Sequence, residues 1–115
     1  MGIRITGYRF GSVSVDGAQH TSDVVVLPGA VRAGWRRAEG HRLVPADLEG
    51  IIPEGVSVLI VGTGAMGMMK VPEETVRRMG ARGVEVRAMR TGRAVEEYNA
   101  LEDKGSAAAA LHLTC

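Results

Sequence analysis

Apolar and polar residues alternate along the first part of the chain, from Ile3 to Phe10 and again through Ser12-Val13-Ser14-Val15. A period of two places successive side chains on opposite faces, the pattern of a strand covered on one side. Asp16-Gly17 supplies the residue pair favoured in two-residue hairpin turns, and Gln19-His20-Thr21 resumes the extended pattern. An N-terminal β-hairpin is predicted. Asp23 leads into Val24-Val25-Val26-Leu27, an unbroken apolar run whose shortness and β-branching predict a strand buried on both faces. Pro28-Gly29 stops it. In Ala30 to Arg37, Val31, Ala33 and Trp35 alternate with Arg32, Gly34 and Arg36, which predicts one more short strand.

Gly40 to Pro53 reads as a connection, with Pro45-Ala46-Asp47-Leu48 forming one helical turn. Beyond Gly55 the period changes. Val56 to Val61 predicts a strand, Pro72 to Gly80 a short helix, Val84 to Met89 a strand, Gly92 to Lys104 a longer helix and Ala107 to Leu113 a small-residue strand. Pro72 suits a first helical position, and Glu73 and Glu74 the positive end of the helix dipole. Thr91 is placed to cap the second helix, Ala94, Val95, Tyr98 and Leu101 form its inward stripe, and Lys104-Gly105 closes it. Strands alternating with helices need crossover connections. The predicted fold class is therefore α/β: a mixed sheet of about five or more strands with two β-α-β crossovers and the N-terminal hairpin beside or across it.

A chain of 115 residues fits one domain over 1–115. With 45% hydrophobic and 23% charged residues it has the balance of an ordinary globular domain, which excludes disorder and fibrous structure. Fourteen basic residues against thirteen acidic ones leave a net charge of +1, too little for general nucleic-acid binding. No apolar run is long enough to span a bilayer, and Met1 to Thr6 lacks a secretory pattern, so a cytoplasmic protein without membrane insertion is expected, as a monomer or homodimer. Cys115 is the only cysteine, and His20, His41 and His112 lack ligand spacing, so no metal is expected.

Gly62-Thr63-Gly64-Ala65-Met66-Gly67 matches the dinucleotide pattern GxGxxG, but the next helix starts near Pro72, too late for its amides to face a pyrophosphate. No cofactor is expected. The ends of the Val56 and Val84 strands nevertheless bring Gly62, Thr63 and Gly64 towards Thr91, where amides and hydroxyls, with Arg90 or Arg93 nearby, suit a small anion. Met66, Met68 and Met69 form a flexible thioether cluster suited to a protein partner. Arg32, Arg36, Arg37 and Arg42, with only Glu39 among them, make a basic segment suited to an acidic one. No nucleophile elbow is present, Asp23 and His20 point to opposite faces of extended chain, and no catalytic residue is predicted.

Together, Tyr8-x-Phe10, Val13-x-Val15-Asp16-Gly17, Asp23-Val24-Val25-Val26, Trp35, the strand ending Gly62-Thr63-Gly64, and Met89-x-Thr91-x-x-Ala94-x-x-x-Tyr98-Asn99-x-Leu101 resemble the Mth-type domain family. That family includes an adipogenesis-associated human protein and a mitochondrial assembly factor for respiratory complex I. The resemblance runs across nearly the whole chain. It implies a compact three-layer α/β domain with a central mixed sheet, no catalytic residues, an interaction or assembly role, and a pocket at Gly62, Thr63, Gly64, Thr91, Tyr98 and Asn99. One departure is Ser106-Ala107 after Gly105, where related chains often carry Arg.

Overall fold

The computed structural model describes residues 3–115. The alternating N-terminal segment extends the predicted hairpin into a three-stranded antiparallel meander of β1 (Ile5–Arg9), β2 (Ser12–Val15) and β3 (Ala18–His20). Asp16 and Gly17 both take positive φ, 48° and 83°, the primed turn whose twist matches the strands it joins. Asp16 holds that turn by accepting the Arg4 amide at 2.8 Å.

A second sheet contains β4 (Val24–Leu27), β5 (Ala30–Arg32), β6 (Val58–Thr63), β7 (Glu85–Met89) and β8 (Ala107–His112), in the order β5-β4-β8-β6-β7. Helices α1 (Glu73–Ala81) and α2 (Thr91–Ala100) connect β6 to β7 and β7 to β8. Strand β6 is parallel to both β7 and β8, whereas β4 is antiparallel to β8 and β5, so the sheet is mixed. The two crossovers travel in opposite directions across β6, which for right-handed connections places their helices on opposite faces. The core agrees. Ala94, Val95 and Tyr98 of α2 pack with Ile5, Val13, Val15, Ile60, Ala109 and Leu111, while Met79 of α1 packs with Trp35, Leu43, Leu59, Val61 and Ala110. The layers are thus α1 with the 33–57 connection, the central sheet, and α2 with the small meander.

Three element ends differ from expectation. β5 stops at Arg32 because the chain leaves the sheet at Gly34 (φ 66°) and buries Trp35, whose indole N–H donates to the Asp47 carbonyl at 3.2 Å. α2 ends at Ala100; Leu101 turns extended, and Lys104 folds back to donate to the carbonyls of Asn99 and Leu101 at 3.1 and 2.9 Å, closing the helix from outside. β6 begins at Val58 and runs to Thr63, so Gly62 and Thr63 belong to a strand. Pairing with Leu111 and His112 of β8 carries it that far.

Candidate functional site

In the parallel β6–β8 pair Thr63 stands opposite His112, and in the antiparallel β4–β8 pair Val24 stands opposite Leu111, so Asp23 flanks His112 as well. Two polar clusters therefore adjoin at this end of the sheet. Both involve His112.

The first cluster is the predicted turn. Gly62 is needed for close approach, since a Cβ there would lie 2.8 Å from the Thr91 hydroxyl. That hydroxyl accepts from the Gly64 amide at 2.8 Å and donates to the His112 carbonyl at 2.6 Å. The Thr91 amide donates to the Gly64 carbonyl, and the Thr63 hydroxyl donates to the Met89 carbonyl at 3.0 Å. Thr91 is thus the first residue of α2 and a clamp between β6 and β8; the cap position is Arg90, which makes no side-chain capping bond. Gly62, Thr63, Gly64 and Thr91 come together, with their polar groups engaged by the chain itself.

Tyr98 and Asn99 lie two turns further along α2. Asn99 accepts the Ile5 amide at 3.0 Å and donates to the Ile5 carbonyl at 2.7 Å, stitching α2 to β1 as an added strand would. Tyr98 is fully buried and its hydroxyl has no partner; burial, then the charge of Asp16, raises its pKa. Of the three methionines, Met66 and Met68 are 65% and 49% exposed. Met69 is not part of that surface: only 2% exposed, it fills the core beside Trp35 and Leu43.

The second cluster joins residues that sequence reading left apart. Asp23 takes as its partner His112 rather than His20, with Nδ1 of the imidazole 2.9 Å from Oδ2. Arg37 donates through Nη2 to the same oxygen at 2.9 Å, and the Leu113 amide donates to Oδ1 at 2.8 Å. Arg37 also donates to the Gly40 carbonyl and lies over the Trp35 ring at 4.7 Å. Asp47 holds this connection in shape by accepting the amides of Ala38 and Val44. Burial pushes the Asp23 carboxyl upward, but the bonds from His112, the Leu113 amide and Arg37 outweigh it and hold the pKa below the usual carboxylate value. Because Asp23 is an ionised acceptor and Arg37 an obligate donor, Nδ1 of His112 carries a proton and donates. The only sequence signal was position, a charged residue at each end of two strands otherwise apolar on both faces.

No described helix is long and apolar enough to cross a membrane. Residues 5–112 match the family model described as Protein of unknown function (DUF498/DUF598). A conserved hypothetical protein from Pyrococcus horikoshii superimposes with a TM-score of 0.81 at 30% identity, over 97% of this chain and 99% of that one. A protein from Bordetella parapertussis gives 0.81 at 28% identity over 97% and 96%. The solution structure of a Bordetella pertussis protein, a Mth938-like domain, gives 0.68 at 25% identity over 96% and 85%. With the family pattern matched from β1 to the end of β8, and the same two-sheet α/β architecture in these neighbours, the chain belongs to the DUF498/DUF598 family of Mth-type domains.

Proposed function

We propose that this chain is a protein-interaction module of the assembly-factor type, one domain over 1–115 acting in the cytoplasm. One observation carries the reading. Three large exposed apolar side chains, Phe10, Met66 and Met68, sit on two loops that are both fastened to the segment Leu113 to Cys115. Gly11 and the Tyr8 hydroxyl donate to the Leu113 carbonyl, while Ala65 and Met68 donate to the carbonyls of Thr114 and Cys115. Apolar side chains held on bonded loops lose little freedom on association, and thioethers adapt to varied partners.

The test is affinity capture with the folded chain and with a Met66→Ser/Met68→Ser variant whose melting temperature is unchanged. A specific protein, or a second copy of the chain, should bind the variant about tenfold or more weakly, the loss expected for central contact residues. Equal retention by both forms, or retention by neither, overturns the reading.

A further inference from the structure

The Asp23 cluster is incomplete in a specific way. Its carboxylate accepts three donors, yet Nη1 of Arg37 and Nε2 of His112 have no hydrogen-bond partner. Both side chains are more than nine-tenths buried, at 4% and 7% exposed. Buried polar atoms in folded proteins are almost always bonded, and an unpartnered guanidinium nitrogen is among the costliest to leave so. The third unpartnered atom among the described residues, the Tyr98 hydroxyl, belongs to a separate core cluster around α2.

The chemistry of the two nitrogens defines what completes them. Nη1 can only donate. Asp23 accepts from Nδ1 of His112 and thereby favours the imidazolium, whose Nε2–H is then a donor too. Asp23 cancels one of the two positive charges, so the cluster with protonated His112 is left with one. The covering chain adds Arg36 and Arg42 against Glu39, and Arg42 forms a bridge with Lys70. Two donors, a residual positive charge and a basic surround call for an anionic acceptor, for which charge-assisted bonds are the strong kind. No three His, Cys, Asp or Glu side chains come together here among the described residues, which disfavours a cation.

The cluster also adjoins open space. Asp23 and Arg37 are part of the wall of a cleft of about 380 Å³ that Ser22, Gly34, Trp35 and Arg36 complete. On another side only the exposed ring of His41, edge-on with centroids 5.6 Å apart, is stacked against His112. We propose that Arg37 and His112, held in place by Asp23, form a binding site for a small oxyanion, the phosphate or carboxylate group of a ligand whose remainder occupies the cleft. This site is distinct from the Gly62–Gly64 turn and independent of the exposed methionines.

The experiment follows the imidazole nitrogens and arginine side-chain protons by NMR while inorganic phosphate, and separately acetate, is added to the intact chain. His112 and Arg37 should shift together and saturably, in the millimolar range expected of two charge-assisted bonds to a bare ion, while His20 stays still. His112→Asn retains a donor where Nδ1 stands but has nothing at Nε2, and should weaken the response of Arg37 by about tenfold or more. Saturation by either ion at His112 supports the site. Failure of both ions to shift it, equal shifts at His20, or unchanged affinity in the Asn variant would mean that the two nitrogens are satisfied by water, and overturns the proposal.

Discussion

The turn around Gly62–Gly64 and the cluster around Asp23 adjoin at one end of the sheet and share His112, but they are finished differently. In the turn, every hydroxyl and amide of Thr63, Gly64 and Thr91 that a ligand would have used is already bonded to a neighbouring strand or helix. In the cluster, one carboxylate gathers three donors and two further nitrogens are left over. Residue types alone do not separate a clamp from a site. The difference lies in whether the fold completes the hydrogen-bond valence of its own groups.

The comparison makes Asp23 the most sensitive position. Asp23→Ala removes the acceptor for a buried guanidinium, and breaking such a pair from one side costs about 3–5 kcal/mol. Urea denaturation should show that loss as a lowered midpoint at constant slope; a loss below about 1 kcal/mol would mean that Arg37 relaxes to solvent and that the cluster is no tighter than a surface pair. The pH dependence has a definite sign. The folded carboxyl titrates below its ordinary value of 3.8, so its contribution is present above that value and lost as pH falls below it. The stability gap between the wild type and Asp23→Asn should accordingly narrow as the pH is lowered through that range.

Gly64→Ala ranks next. Gly64 has φ +108°, and an added Cβ would collide with the carbonyl carbon of Cys115 and stand 2.9 Å from Cδ2 of His112. Backbone strain of this kind costs about 1–3 kcal/mol, and here the last segment must also move. Hydrogen exchange at the Ala65 and Met68 amides, which donate to Thr114 and Cys115, should accelerate. Unchanged protection would show that the two loops are not held through that segment.

Thr91→Val keeps the shape and removes the clamp. With the Gly64 amide and the His112 carbonyl both left without their partner, about 1–3 kcal/mol should be lost. A neutral result would break the contrast drawn above, because the turn would then not depend on its internal bonds. The smallest effect belongs to Tyr98→Phe, which deletes a buried hydroxyl that bonds to nothing. Thermal unfolding should change by no more than about 0.5 kcal/mol, or shift slightly upward; a clear loss would reveal a partner for that oxygen.

Much of the architecture was legible along the chain. Val24 to Leu27 and Ala107 to His112 are short apolar runs because both faces of a central strand are covered, and α2 shows its inward stripe because helical periodicity must match one buried face. The element ends were less legible. Thr63 joins β6 only because His112 stands beside it, and Trp35 leaves the strand pattern because the core accepts its ring and Asp47 accepts its N–H. Local propensity carries no information about either partner.

What the sequence determined by itself was therefore the set of elements, their class and their family, since these depend on periodicity, turn residues and spacing over a few positions. Which polar groups are used internally was decided only by the tertiary structure. Asp23, Arg37 and His112 come from three separate segments, and β4 meets β8 across 89 residues of chain between Asp23 and His112. The same packing that completes Thr91 buries the nitrogens of Arg37 and His112 without completing them, because hydrogen bonds are satisfied by geometry in space and not by order along the chain.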